Sequence, residues 1–424
     1  MKPESARVIA DLEALAALTS DERGAQRVAW TPMWRTTRDW YTRKLHEEAG
    51  LTPERDSAGN LWATIPGASK ESLIIGSHLD SVPGGGWLDG CLGVLAGLEV
   101  LRHYRGKTPP LTLRVVDWAD EEGARFGRSL VGSAAAAGAL DAQRELAALT
   151  DRAGVRLPDA LAENGVSLEG MMQARRYFQK LSPRAYLELH IEQGPVLMEM
   201  KKRVGLVLGT MGVERYMLKL VGQAAHSGAA PIHLRQDAFL AAAEFALACR
   251  AISVKYSGKT PRSRVVATCG VVKVEPNFVT AVPGLTEISI DLRALDARVL
   301  AKMLADAKVA AAKAAKKHLV KVHWTPLLHI TPRPFDPALM KIARVAMKEV
   351  TGEAPELPSG PLHDASEMAA VVPTAMIFAQ SSPGVSHTRI EDTPRPALDQ
   401  AIRAFLLTVE RTLAAAGETA PGRR

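Results

Sequence analysis

The stretch SLIIGSHLDSVPGGGWLDGCLGVLAGLEVLRHY, residues 72–104, changes rhythm twice. SLIIG is the kind of short apolar run that fills an interior strand. CLGVLAGLEVLRHY then places its apolar residues at helical spacing, and LTLRVVDW at 111–118 returns to the strand pattern. Strand, helix and strand in this order predict a parallel crossover within a helix-covered sheet. Ligand-bearing loops then belong at the carboxyl ends of the strands. The loop here, GSHLDSVPGGGWLDG at 76–90, packs His78, Asp80, Asp89 and five glycines into fifteen positions.

The same alternation extends over the first 210 residues. Thr31 and Pro32, a cap and a first-turn proline, open a helix over 31–49 that Gly50 stops. From 212 the order changes. ERYMLKLVG reads as a strand, HLRQDAFLAAAEFALACRAI as a helix, SRVVATCGVVKV and TEISIDLRA as two strands, DARVLAKMLADAKVAAAKAAKKHL as a helix and VKVHWTPLLHI as a strand. This β-α-β-β-α-β order is the split unit of ferredoxin-like domains. After the proline-rich ITPRPFDP, a helix at 337–350 and the run TAMIFA resume the α/β pattern. We therefore expect a first domain at 1–211 and 331–416, an insertion at 212–330 and a frayed tail at 417–424.

At 424 residues with 47% hydrophobic and 23% charged content, the chain has the composition of a globular protein with a large core. No apolar run approaches the roughly 18 residues of a membrane span. The beginning, MKPESARVIADLEALAAL, carries acids in its apolar stripe and reads as an amphipathic helix rather than a signal peptide, so a cytoplasmic location is expected. Cys91, Cys249 and Cys269 are too few and too scattered for a disulfide framework and are expected to be buried thiols. The +7 formal charge is dispersed, without the aromatic and basic interleaving of single-strand binders. Neither a nucleic acid nor a membrane is expected as a partner, and Lys313, Lys316 and Lys317 read as a solvated helix face.

Chemistry gathers at four strand ends. Asp80 can hold one nitrogen of His78, while Asp89 can swing back toward the other; a glycine-rich turn with a capping Asp before the helix accounts for the same residues equally well. DWADEEG sets Asp117, Asp120, Glu121 and Glu122 together after the second strand. Adjacent carboxylates repel unless protons or cations separate them, so one can bind metal while its neighbour moves a proton. YLELHIEQGP adds His190, and SSPGVSHTRIED adds His387 after TAMIFA. Imidazoles mixed with carboxylates suit zinc, manganese, cobalt or nickel. Other signatures fail: SGKT at 257–260 has Ser253 where a phosphate loop needs its first glycine, and no G-x-S-x-G elbow is present.

Taken together, GSHLDSVPGGGWLDG, DEEGARFG, ELHIEQGPVL, GQAAHSGAAPIHLRQDA, DLRA, LHDASEMA and GVSHT resemble, in order and spacing, the hydantoinase/carbamoylase branch of the aminoacylase-like di-metal hydrolases. That branch contains N-carbamoyl-L-amino-acid hydrolases, β-ureidopropionases and allantoate amidohydrolases. The resemblance implies an α/β metallohydrolase catalytic domain with an inserted ferredoxin-like lid and dimerisation domain. It further implies two divalent metal ions per subunit, His78 and His190 on one, Glu122 and His387 on the other, with Asp89 between them. Glu121 would be the general base, taking a proton from the attacking water and delivering it to the leaving nitrogen, with Asp80 orienting His78. His226 would stabilise the oxyanion from the neighbouring subunit of a homodimer, and Arg293 would grip a substrate carboxylate. Gln193 corresponds to a substrate-side amide. His363 either lines the pocket or caps the helix that follows it.

Two positions depart from the branch. Thr280 in NFVTAVPG stands where an Asn usually helps bind substrate, with Asn277 three residues earlier, and Pro361 and Leu362 replace a small, glycine-rich approach to His363. A hydroxyl cannot reproduce a carboxamide's paired donor and acceptor. The implied function is hydrolysis of the C–N bond of a small N-carbamoyl or N-acyl amino acid. The alternatives are allantoate or an aromatic amide as substrate, or a non-catalytic binding protein of the same descent.

Overall fold

Strands Ser69–His78 and Leu111–Trp118 run parallel and side by side, with helix Cys91–Tyr104 between them in sequence. The helix presses onto the sheet because it carries glycine at the contact: a Cβ on Gly93 would fall 2.5 Å from the Leu189 carbonyl oxygen. The computed structural model describes residues 4–418, in two units: 4–208, 335–356 and 361–418 form the first, and 209–334 with 357–360 the second. Residues 419–424, most of the tail expected at 417–424, lie outside the described residues.

In the first unit, strands Thr374–Ala379, Pro183–Ile191, Ser69–His78 and Leu111–Trp118 lie adjacent and all parallel, so their carboxyl ends line one edge of the sheet. Antiparallel strands Val204–Thr210 and Leu61–Ile65 flank this block. Near-continuous apolar runs suit strands covered on both faces. One face carries helices Ser5–Thr19, Cys91–Tyr104, Pro337–Thr351 and Arg395–Glu418, whose core includes Leu12, Leu95, Met347 and Phe405. A second cluster gathers Trp30, Trp34, Val131 and Leu161, partly from short helices between 131 and 171. Helix Pro32–Lys44 is capped by the Thr31 hydroxyl and widens at Leu45–Ala49 into a π-turn that ends at Gly50 with φ +70°.

The second unit is an antiparallel sheet in the order Val266–Thr268, Leu285–Ala294, Gly212–Val221, Lys321–Ile330, with Val272–Glu275 also on Leu285–Ala294. With helices Ala238–Tyr256 and Ala297–Lys317, it follows the β-α-β-β-α-β order. Two details differ from the sequence reading. SRVVATCGVVKV is two strands, because Thr268 pairs Asp291 while Val272 pairs Ile288, which leaves one extra residue at Cys269–Val271 as a bulge. The first helix starts at Ala238 rather than His233, because the Asp237 carboxylate caps it by accepting from the Phe239 and Leu240 amides.

Cys91 and Cys249 are buried and Cys269 is half-buried, all three as free thiols, and Lys313, Lys316 and Lys317 are exposed. Among the described residues no helix is long and apolar enough to cross a membrane.

One buried ion pair anchors the functional edge of the sheet. Arg38 Nε lies 2.6 Å from Asp117 Oδ2, and Asp117 Oδ1 accepts from the Leu79 amide directly after His78. Replacing Arg38→Met should leave Asp117 buried without its partner and lower unfolding free energy by about 3–5 kcal/mol in a chemical denaturation curve.

Candidate metal centre

His78 is the last residue of its strand, His190 the penultimate residue of the neighbouring one, and Glu121 and Glu122 follow Trp118 by three and four positions. Strand 374–379 leads into the loop that carries His387. Because the four strands are parallel and adjacent, these groups converge. Asp89 reaches the same place from the loop before helix 91–104. It does not cap that helix: Gly90 occupies the cap position and no side-chain cap bond forms.

The two oxygens of Asp89 face two different sets of groups. Oδ1 lies 3.1 Å from His190 Nε2 and 3.8 Å from His78 Nε2. Oδ2 lies 3.7 Å from His387 Nε2, which is itself 3.3 Å from Glu122 Oε2. Among the described residues, His78–Asp89–His190 and Asp89–Glu122–His387 are two of three groups whose ligand atoms lie within 4.8 Å of one another. The third, Glu188–His190–His363, lies behind His190.

Hydrogen bonds assign the imidazole tautomers. His78 Nδ1 is 3.1 Å from the Asp80 carbonyl oxygen and His190 Nδ1 is 2.9 Å from the Ile191 carbonyl oxygen. A carbonyl only accepts, so each Nδ1 carries a proton, and each ring turns its Nε2 toward Asp89. Asp89 Oδ1 and His190 Nε2 are both buried and have no hydrogen-bond partner other than each other. Lone pairs facing one another this way are relieved by a proton or by a metal ion between them, and the imidazole and carboxylate donors suit a divalent transition metal.

The electrostatics agree. Burial by itself would push His78 and His190 down, but Glu121 with Asp80 and Asp89 carries His78 well up, and Asp89 with Glu188 raises His190. Burial raises Glu121 and Glu122 well above the carboxylate range; Asp364 and Glu122 add to the shift at Glu121, and Asp89 to that at Glu122. Burial also opposes ionisation of Asp89, yet His190, His78 and His387 hold it well below its ordinary value. Acids raised beside bases raised describe a cluster with an appetite for positive charge.

The remaining first-unit candidates fall around this cluster. Glu121 Oε2 lies 3.6 Å from His78 Nε2. Asp80 meets His78 through its backbone carbonyl, its Oδ1 standing at 3.6 Å, while its carboxylate accepts from the amides of Glu121 and Glu122, 3.2 Å each. Asp80 thus fixes the turn carrying both glutamates as well as the imidazole. Gln193, at φ +57°, donates Nε2 to Asp89 Oδ2 at 2.8 Å. His363 is buried at the N-cap of helix Asp364–Met368, its ring 4.4 Å from His190 and 5.6 Å from Phe378 between centroids. Burial, and then His190, push His363 well below the usual imidazole value, so it stays neutral.

In the second unit, His226 pairs across a short antiparallel ladder with Ala281, and the Ser227 amide donates to the Thr280 carbonyl, so His226 and Thr280 adjoin. His226 Nδ1 accepts from the Gly228 amide at 3.1 Å, leaving Nε2 as the exposed donor. Asn277 is exposed with φ +54°. Arg293 donates Nε and Nη2 to the Asp291 carboxylate and Nη1 to the Gly360 carbonyl.

The sequence reading passed over Glu188 and Glu391. Glu188 is fully buried and accepts from Ser77 Oγ, Tyr186 Oη and the Ala365 amide, and it shares a strand face with His190 by the period of two. That period was the available signal. Glu391, four residues past His387, had none.

Residues 74–411 match the family described as peptidase family M20/M25/M40. An N-carbamoyl-L-amino acid amidohydrolase of Geobacillus stearothermophilus is 35% identical over 372 residues, 87% of this chain and 88% of that protein. An allantoate deiminase of Arabidopsis thaliana is 30% identical over 375 residues, 81% of this chain and 70% of that protein. A solved amidase of the hydantoinase/carbamoylase family from Burkholderia multivorans superposes with a TM-score of 0.85 at 31% identity, covering 97% of this chain and 98% of that one.

Adding a divalent cation to chelator-treated protein, at about a thousand times its dissociation constant, should stabilise the fold by about 4 kcal/mol, read as a rise in thermal midpoint. His78→Ala combined with His190→Ala should remove most of that rise.

Proposed function

The chain belongs to the peptidase family M20/M25/M40, and on that footing we propose that it is a metal-dependent amidohydrolase acting on the C–N bond of a small N-carbamoyl or N-acyl amino acid. The observation that carries this reading is the division of Asp89, with His78 and His190 at one oxygen and His387 and Glu122 at the other. These five side chains would hold two divalent ions, of zinc, manganese, cobalt or nickel. Bound there, the ions would acidify an attacking water and polarise the scissile carbonyl.

The protein's own residues divide the remaining work. Glu121, with burial holding its proton affinity high, takes a proton from the attacking water and returns it to the departing nitrogen, which leaves as an amine when the C–N bond breaks. With a carbamoyl substrate the other fragment is carbamate, which falls to carbon dioxide and ammonia. Asp80, bonded to the amides of 121 and 122, keeps the base and its neighbour in place. Gln193 steadies Asp89 through its amide N–H.

His226 supplies an N–H for the developing oxyanion, from the second unit of a partner subunit in a homodimer, the second unit serving as lid and dimerisation domain. Arg293 has five N–H donors, of which three are engaged, so one on each terminal nitrogen is left for a substrate carboxylate. Thr280, Asn277 and His363 are the further candidates for substrate contacts in this reading, with Pro361 and Leu362 preceding His363. Substitution of a hydroxyl for the customary carboxamide at Thr280 favours a substrate less polar there than the usual ones, with allantoate and aromatic amides as the nearest alternatives. The expected location is the cytoplasm.

Glu121→Gln should keep the wild-type metal content and lower kcat by about 100- to 10,000-fold; full turnover would reject it as the base. The substrate is identified by screening metal-loaded protein against N-carbamoyl and N-acyl amino acids, allantoate and aromatic amides for released amine or ammonia. His226→Ala and Arg293→Ala should each be inactive, and mixing the two should restore part of the activity if subunits share sites. Absence of rescue would mean that His226 and Arg293 of one chain serve the same site.

A further inference from the structure

His387 is the weakly supported member of the candidate ligand set. His78, Asp89 and His190 are buried and Glu122 keeps only 5% of its side chain exposed, whereas the His387 side chain is 52% exposed and lies in a loop eight residues beyond its strand. Its backbone is in the left-handed region, φ +58°, which a non-glycine residue adopts at a cost and keeps only where its surroundings enforce it.

What enforces it is Glu391. This carboxylate is 1% exposed, and its Oε2 accepts from both the Ser386 hydroxyl and the His387 amide, the latter at 3.2 Å. On the other side Glu391 packs against the loop that carries Asp89. A Cβ on Gly86 would fall 2.0 Å from Glu391 Oε1 and 2.7 Å from its Cβ, so only glycine leaves room for the carboxylate. Next door, Trp87 Nε1 donates to Asp392 Oδ1 at 3.1 Å, a second tie between the two loops.

We propose that Glu391 is a positioning residue, latching the His387 loop to the Gly86–Asp89 loop so that His387 and Glu122 meet Asp89 Oδ2 as one binding site. The proposal rests on the two-ion reading above. It assigns Glu391 a hydrogen-bonding role rather than a ligand's charge, because one oxygen receives both bonds. The amide oxygen of glutamine can do the same, so Glu391→Gln should preserve the latch where Glu391→Ala cannot.

The test is zinc uptake by metal-free protein, followed calorimetrically with Zn²⁺ alone, and far-UV circular dichroism to verify folding. Wild type should bind two ions. Glu391→Ala should bind the first as wild type does and the second about 10- to 100-fold more weakly. Gly86→Ala, which displaces the carboxylate from the opposite side, should reproduce that loss, and Glu391→Gln should stay within about threefold of wild type. A second ion bound by Glu391→Ala with wild-type affinity would overturn the proposal. So would equal losses in Glu391→Gln and Glu391→Ala, which would mean that charge is what matters. Wild-type protein that takes up no zinc would overturn the metal reading and this inference with it.

Discussion

The structure of the first unit depends on a repulsion that has to be relieved. Asp80, Asp89, Glu121 and Glu122 crowd one edge of a sheet with three imidazoles, and Asp89 Oδ1 faces the Nε2 atoms of His190 and His78 at 3.1 and 3.8 Å. Concentrating ionisable groups where water is largely excluded costs several kcal/mol per charge unless each is paired. Backbone carbonyls settle the Nδ1 side of the two buried histidines, and what is left over is a set of lone pairs aimed at two points. Positive charge at those points would turn each repulsion into an attraction.

Support for the cluster comes from the buried groups around it. Arg38 holds Asp117, and Asp117 holds the backbone just after His78. Asp80 divides itself, its carbonyl to an imidazole and its carboxylate to two amides. Glu188 ties Tyr186, Ser77 and the start of helix 364–368 together beneath His190. Each is a buried carboxylate with several donors, an arrangement that stays fixed because loss of any one donor exposes an unsatisfied charge. Rigid supports of this kind keep ligand atoms where a cation needs them.

The second unit follows a different logic. Its sheet is antiparallel, so one hydrogen-bonded ladder can present a histidine beside a turn, as it does at His226 and Thr280, without a strand end for each group. Arg293 is oriented by Asp291 two residues before it on its own strand and by the distant Gly360 carbonyl.

By itself the sequence determined the kinds of elements and the identity of the groups that converge. Periodicity, caps such as Thr31 and stop residues such as Gly50 act within a few residues, so helix 91–104, strand 111–118 and the β-α-β-β-α-β order are written locally, and four parallel strand ends already imply one meeting place. Two element boundaries differ: the helix read from His233 starts only after the Asp237 cap, itself a local signal, and one long strand breaks at the bulge beside Cys269, which cross-strand pairing decides. Only tertiary structure decided which oxygen of Asp89 faces which histidine, which nitrogen each ring presents, and that Gln193 bonds to Asp89. It alone brought Glu391 against Gly86 and beneath the backbone of His387. These are contacts through space between segments far apart in the chain, and their distances exist only once the sheet has set the strand ends side by side.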